Sequence, residues 1–341
     1  MKKIVVIGTT FVDIKGYPLG DYIRDGRNAG RVEYFHGGVG RNIAEDVANV
    51  AASAATLLEK VSSAAKNDSK EKAQTTEENG TKEKMQTTEE NGTKEKTRTA
   101  EVIYVTLVDD TQLSQDVIDR LKSRGVNTDY IKKVPNGLGT WLAVFDEHGD
   151  VDASISARAG MKEIKDILDE SGDELFKDAD GVLVEADMDI EIIDRIAELS
   201  HKYNSTLYTA ISNMSIAMKR TEILDKTRCF VCNKIESIQL LGEDIEDPKV
   251  LAERIKDIHI GAMVITLGAD GCIYADNISG ECGKLEAENV DVVDTTGAGD
   301  SFFAGVSYGL ISGLEIKKAC EIATHIAAVV IGSKENVYPH G

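Results

Sequence analysis

Apolar positions along the chain follow two rhythms. Short continuous runs recur at Ile4–Ile7, Val102–Val108, Trp141–Phe145, Val182–Glu185, Leu207–Ile211, Cys229–Cys232, Met263–Leu267 and Cys272–Ala275. Runs of this length and continuity suit strands covered on both faces. Between them, apolar residues return at helical spacing: Ile190, Ile193, Ile196 and Leu199; Val250, Leu251, Ile255 and Ile258; Phe302, Phe303, Val306 and Leu310; Ile322, Ile326 and Val330. Strands alternating with helices predict the α/β class, a doubly wound, mostly parallel sheet flanked by helices.

Three stretches break the alternation. Residues 14–36 are rich in Gly, Arg and Tyr and have no helical period. Residues 137–158 read as a hairpin, GLGTWLAVF and VDASISA joined by DEHGD. Together they predict a small β lid over the carboxyl edge of the main sheet. Residues 51–100 contain a twelve-residue repeat, KEKAQTTEENGT at 70–81 and KEKMQTTEENGT at 82–93, followed by KEKTRT. Almost no apolar side chain is available there to bury, so the segment is expected to be a solvated low-complexity insert in a single domain spanning 1–341. Val47, Val50, Ala54, Leu57 and Val61 keep a helical period into its start, predicting a helix from near Asn42 to about residue 65.

Composition narrows the function. The chain has 39 Lys and Arg against 59 Asp and Glu, a formal charge of −20. Such a chain repels phosphate backbones, so a nucleic-acid-coating role is disfavoured. A small anion is not disfavoured, because backbone dipoles bind phosphate locally. No apolar window approaches the ~18 residues of a membrane span. The opening MKKIVVIG is too short for a signal sequence and reads as a buried strand. Of the five cysteines, Cys229 and Cys232 form a Cys-x-x-Cys. In a strand, residues three apart point to opposite faces, so buried thiols are expected rather than a metal or redox pair. A reduced cytoplasmic protein fits these features.

The strongest local chemical signal is Asp294-Thr-Thr-Gly-Ala-Gly-Asp300, followed by an apolar helix. Gly297 and Gly299 allow a tight turn that gathers backbone N–H groups at a helix start, where the dipole adds positive charge. Such a turn can receive a transferring phosphoryl group. Asp300 at its mouth can accept a hydroxyl proton as the O–P bond forms. Taken alone, the same residues also make a plain N-cap after a glycine turn.

DTTGAGDSFFAG resembles the C-terminal signature of the ribokinase-like (PfkB) carbohydrate kinases, and Gly37-Gly38-Val39-Gly40-Arg41-Asn42 resembles the N-terminal one. The motifs occur in family order, and the resemblance covers nearly the whole chain outside 51–100. It implies that ATP phosphorylates a primary hydroxyl of a small sugar or nucleoside. Asp300 becomes the catalytic base, and Gly297, Ala298 and Gly299 the anion hole. Asp13, Gly38, Val39, Gly40 and Asn42 become substrate-binding residues, with Glu185 a further sugar contact. Asn233 and Glu236 resemble the family's Asn-x-x-Glu motif, tied to Mg²⁺ and phosphate, with Glu236 acting on Mg²⁺ through water. Thr266, Gly268 and Gly271 resemble its nucleotide-binding turn. Asp294 and Thr296 fall where relatives hold a monovalent cation such as K⁺. Lid strands in this family pair between subunits, which implies a homodimer through the lid. A dinucleotide fingerprint is absent, since GGVGRN is not G-x-G-x-x-G and the first strand continues GTTFVD.

Within the family, GGVGRNIAE and VDIKGYP are most similar to pseudouridine kinases, making pseudouridine the first-choice acceptor. One departure from that branch is Arg27-Asn28-Ala29-Gly30 in place of an Asn-Pro-Gly. Ribose, fructose or another sugar therefore stays open as acceptor, as does a catalytically silent sugar- or nucleotide-binding regulator. Trp141 is expected to pack within the lid, and His325 to lie half-buried near the nucleotide site.

Overall fold

The computed structural model describes residues 1–74, 99–211 and 226–340. The chain starts with β1 (Lys2–Ile7), leaves the core for β2 (Phe11–Pro18) and β3 (Gly30–Gly37), and enters α1 (Val39–Gln74). It returns through β4 (Ala100–Val108), α2 (Gln112–Ser123), the short β5 (Val126–Asn127) and β6 (Ile131–Lys133), then leaves again for β7 (Gly139–Phe145) and β8 (Val151–Ala157). Next come α3 (Lys162–Phe176), β9 (Gly181–Glu185), α4 (Ile190–Tyr203), β10 (Leu207–Ala210), β11 (Thr227–Asn233), α5 (Lys234–Leu241) and α6 (Pro248–Asp257). Strands β12 (Ala262–Thr266), β13 (Cys272–Asp276) and β14 (Cys282–Leu285) precede α7 (Ala298–Ile311) and α8 (Ile316–Ile331).

Among the described residues, the main sheet runs in the order β14-β13-β12-β11-β10-β9-β1-β4-β5, with β6 also on β4. It is parallel from β5 to β12 and closes with two antiparallel pairings, β12 to β13 and β13 to β14. Alternate residues of one strand serve opposite layers, as the period of a strand requires. Ile4 and Val6 join α1, α7 and α8 in one core layer. Val5 and Ile7 join α3, α4 and α6 in the other. Cys229 and Cys232 separate in the same way, one in each layer. Burial pushes the Cys229 thiol up to about 12 and Cys232 well above its ordinary value, so both are protonated packing residues.

The two excursions meet. β2 pairs antiparallel with β3 and parallel with β7, and β7 pairs antiparallel with β8, giving a second sheet ordered β3-β2-β7-β8. This sheet starts at Phe11 rather than at residue 14, so Asp13 is a strand residue of the lid.

α1 is longer than its apolar period suggests, reaching Gln74 instead of about residue 65. Its part within the expected insert is not solvated throughout: Ala51, Ala54 and Leu57 are buried in the core. The apolar period ends at Val61, whereas the Lys, Glu and Ala that follow in the sequence are good helix formers. At the other limit, residue 100 already belongs to β4. Most of the repeat, residues 75–98, lies outside the described residues. Among the described residues, no helix is long and apolar enough to cross a membrane.

Candidate active site

Strand carboxyl ends are where open α/β sheets bind ligands, and the expected site residues fall along that edge. Asp300 is the third residue of α7, whose N-cap Gly297 has φ 79°. That left-handed conformation suits glycine, and a side chain there would collide with the carbonyl oxygen of Asn336. The turn before it is braced by Asp294, whose Oδ1 accepts from the Thr296 N–H at 2.8 Å. Asp294 Oδ2 faces the Lys15 ammonium of β2 at 3.8 Å. Burial pushes the Asp294 carboxyl up, but the Thr296 hydrogen bonds and the Lys15 charge outweigh it and hold the group below its ordinary value.

Asp300 Oδ2 accepts from Asn42 Nδ2 at 2.8 Å, which joins the two glycine-rich motifs across 258 residues of sequence. Burial pushes the Asp300 carboxyl up to about 7, with Glu185 and Glu236 adding to the rise and Asn42 and Arg41 opposing it. A base poised near neutrality suits proton transfer at ordinary pH.

Asn42 is itself held. Its Oδ1 accepts from Arg41 Nη1 at 2.8 Å, which aims its amide N–H groups towards Asp300. Arg41 is fully buried and pairs with the equally buried Glu45 at 2.5 Å. Arg120 and Arg124 also reach Glu45, at 2.8 and 3.5 Å. Asn336 donates to the His36 carbonyl at 2.7 Å and lies 3.3 Å from Arg41 Nη1. One turn along α1, the buried Asp46 accepts from Ser301 Oγ at 2.8 Å and from the Tyr338 N–H at 2.5 Å. Arg41, Glu45, Asp46 and the segment 336–338 were not among the expected site residues. No local signal marked them: the apolar residues at 43, 44, 47, 48, 50 and 51 occupy one face of the helix, and Arg41, Glu45 and Asp46 fall on the other, where charges are ordinarily solvated.

Gly38 and Gly40 are closely packed against the backbone that follows β1. A Cβ at Gly40 would lie 2.6 Å from Gly8 Cα, and one at Gly38 (φ 93°) 2.6 Å from the Thr9 carbonyl oxygen. The backbone they admit is this chain's own, at the end of β1. Val39 begins α1 and packs on the core. Asp13 lies on β2, where a Cβ at Gly37 would stand 2.9 Å from its carboxylate oxygens. Burial pushes the Asp13 carboxyl up, while Lys15 and Arg41 pull it down.

Glu185 ends β9 and is buried. Both its oxygens accept from Thr9, at 2.8 Å from the N–H and at 2.8 and 3.0 Å from the hydroxyl. Its carboxylate thus anchors the loop after β1. Asn233 and Glu236 form a capping box at the start of α5: Asn233 Oδ1 accepts from the Glu236 N–H at 2.9 Å, and Glu236 Oε2 from the Asn233 N–H at 2.8 Å. Burial pushes the Glu236 carboxyl up.

Thr266, Gly268 and Gly271 line a cleft that is also lined by Ala298 and Gly299 at the start of α7 and by Thr324 and Ala327 of α8. The expected nucleotide turn and the expected anion hole thus share one space. Glu288, on the rim of this cleft, lies 3.1 Å from His325 Nδ1. Trp141 sits on β7 beside Asp13 in the lid register.

Residues 96–339 match the pfkB family carbohydrate kinase, and the chain belongs to that family. A guanosine-inosine kinase from Exiguobacterium acetylicum is 27% identical over 98% of this chain and 96% of its own length. The pseudouridine kinase of Escherichia coli is 22% identical over 96% of this chain and 90% of its own. Among solved structures, Arabidopsis thaliana ribokinase, complexed with ribose and ATP, covers 98% of this chain and 94% of its own at a TM-score of 0.74 and 18% identity. An adenosine kinase from Sinorhizobium meliloti covers 98% and 95% at 0.69 and 16%. The protein is therefore an ATP-dependent sugar or nucleoside kinase with a ribokinase-like fold.

Proposed function

We propose that the chain transfers the γ-phosphoryl group of ATP to the primary hydroxyl of a ribonucleoside. The observation that carries this reading is the Asn42–Asp300 pair, which joins the starts of α1 and α7, together with Asp13 of β2, whose carboxylate lies beside Gly37 just before α1. Asp13 accepts from the two vicinal ribose hydroxyls, and Asn42 and Asp300 receive the primary hydroxyl. As the O–P bond forms, the hydroxyl proton passes to Asp300, the bond to ADP breaks, and the N–H groups of Gly297, Ala298 and Gly299 face the phosphoryl oxygens. The triphosphate extends into the cleft beside Thr266, Gly268 and Gly271.

Pseudouridine, inosine and guanosine carry an N–H next to a carbonyl on the base. The full-length similarity to kinases named for these nucleosides supports an acceptor with that edge over free ribose or fructose.

Among the described residues, no group of three or more His, Cys, Asp or Glu side chains is placed to hold a metal ion. Mg²⁺ does not need one, since it keeps several waters and binds mainly through substrate phosphates. Glu236, with one oxygen committed to its capping box, fits a water-mediated contact to it; Mg²⁺ would supply charge neutralisation of the triphosphate. Asp294 already accepts from the Thr296 N–H and faces the Lys15 ammonium, a cation held on the side K⁺ would need, so the residues present fit K⁺ poorly.

The homodimer reading rests on the lid face away from Asp13. Tyr34, Ile14, Leu142 and Ile155 stand in one row across its four strands, with Tyr34 58% and Ile155 69% exposed. Sedimentation of wild type against Ile155→Glu tests it. The test of the activity is ADP release with ATP and Mg²⁺ over pseudouridine, inosine, guanosine, adenosine, ribose and fructose. Turnover with a nucleoside is expected; turnover with ribose or fructose alone moves the acceptor class, and ligand binding without turnover on the whole panel overturns the reading in favour of a regulator.

A further inference from the structure

The site described above is rich in carboxylates and short of cations. Asp13, Asp294, Asp300 and Glu236 all border it, whereas the transferring phosphoryl group is itself anionic. Arg41 cannot answer that charge, because it is fully buried and engaged by Glu45, Asn42 and the His36 carbonyl.

Lys15 is differently placed. It is two residues after Asp13 on β2, so both side chains leave the same face of the lid sheet, about 7 Å apart along the strand. Its side chain is 7% exposed, yet the carboxylate it faces, Asp294 Oδ2, is 3.8 Å away. That is too long for a hydrogen bond of ordinary length. Its Nζ also sits 4.7 Å from the Phe35 ring centroid, a contact that steers the stem without using the N–H donors. Neither contact engages the N–H donors of Lys15 at hydrogen-bond distance, so they can turn to an anion brought into the site. The neighbouring surface is where an anion is expected, since Asp294 opens the turn that ends in Gly297–Asp300.

We propose that Lys15 is a substrate-contacting cation of the phosphoryl-transfer site, carried by the lid strand so that its ammonium meets the transferring phosphoryl oxygens opposite the backbone anion hole. This rests on the kinase reading above. It gives the lid a second role: one strand carries both the carboxylate for the acceptor diol and the cation for the phosphoryl group, so seating the acceptor also positions Lys15.

The test begins with acceptor-dependent ADP release by wild type, which examines the kinase reading on its own. Lys15→Met and Lys15→Ala are then compared with it. For a cation acting on the transition state, kcat is expected to fall at least 100-fold, while the acceptor KM and the affinity for ADP stay within about threefold. Lys15→Arg should restore part of kcat, and ethylammonium should raise the rate of Lys15→Ala but not of wild type. Binding of ADP with aluminium fluoride and acceptor, measured by calorimetry, should weaken in parallel with kcat. Asp294→Asn separates a structural ion pair from this role: if it reproduces the Lys15→Met loss and the double variant is no worse, the proposal is overturned. Near-wild-type kcat in a folded Lys15→Met overturns it too, and leaves the kinase reading intact. A wild type with no acceptor-dependent ADP release on any sugar or nucleoside overturns both.

Discussion

The two sheets of this molecule place chemistry in opposite ways. In the main sheet β9 is buried at every position, and the polar groups near the cleft lie at the strand ends or past them, as at Asn233, the last residue of β11, and in the turn before α7. In the lid β8 is exposed at nearly every position, and the residues we propose for the site, Asp13 and Lys15, sit within strand β2. A sheet covered on both faces has no free face to offer a ligand, so its function is confined to its edge. A sheet covered on one side can use alternate residues of one strand as a binding surface. It follows that substitutions in the main sheet should act on stability, those at its edge on chemistry, and those on the inner face of the lid on acceptor recognition.

The largest expected effect is at the edge. Asp300→Asn should lower kcat by about 10²–10⁴ or more with ATP affinity nearly unchanged, measured by steady-state kinetics and calorimetry. The same variant has a signature in stability. The folded Asp300 carboxyl titrates at about 7 against an ordinary 3.8, so ionising it in the fold is unfavourable. The wild type keeps this contribution below the ordinary value and loses it as pH rises through about 7. The melting temperature of Asp300→Asn should therefore match wild type near about pH 4 and exceed it near about pH 8. A constant offset at both pH values would show that Asp300 ionises freely.

On the lid, Asp13→Ala removes a charged acceptor from a diol. A loss of about 1.5–3 kcal/mol corresponds to a rise of roughly 10- to 150-fold in acceptor KM, with ATP little affected. An equal loss in both substrates would mean that the lid stabilises the whole site instead of reading the acceptor.

For the sheets themselves, Leu183→Ala in the buried β9 should cost about 2–5 kcal/mol of stability. Ile155→Ser on the outer lid face should stay within about 0.5 kcal/mol for the monomer. Denaturant melts read both, and comparable losses would erase the distinction drawn here.

A finer effect concerns Asn42→Leu, which removes the N–H donor to the Asp300 carboxylate. That bond favours the ionised form, so its loss should move the acid limb of the kcat–pH profile to higher pH.

The smallest effect is expected from shortening the insert. Thr99 donates to the Ala51 carbonyl at 2.9 Å, yet Gln74 lies about 35 Å further along α1. Cutting out only the repeat would leave these ends far apart. Replacing residues 60–97 by a short Gly-Ser linker should leave kcat and melting temperature nearly unchanged, since loop closure varies only logarithmically with length.

The sequence pattern exposed the main strands, the lid segments and the glycine-rich turn, because each depends on local spacing. It did not expose the reasons for them. That Gly40 is packed against Gly8, that Glu185 is engaged by Thr9, and that Asp294 faces Lys15 are facts of tertiary contact, separated by up to 279 positions and invisible to any window. Arg41 and Glu45 read as ordinary helix-surface charges until the helix proves to be enclosed. Asn336 lies past the last helix, in a segment without period, and only its bonds to His36 and Arg41 mark it.

Those last bonds bear on how the chain is made. Asp46 meets the Tyr338 N–H across 292 residues, and Asn42 meets Asn336 across 294. While the chain is being synthesised, α1 emerges long before residues 336–338, and its buried charges wait for them. Contacts of such separation form late and slowly, and a nascent chain ending before residue 336 would display Asp46 and Arg41 without these partners. Such unfinished chains are the species that aggregate or engage chaperones. Assembly of the α1–α7 junction is thus tied to synthesis of residues 336–338, and that segment acts as a checkpoint on it.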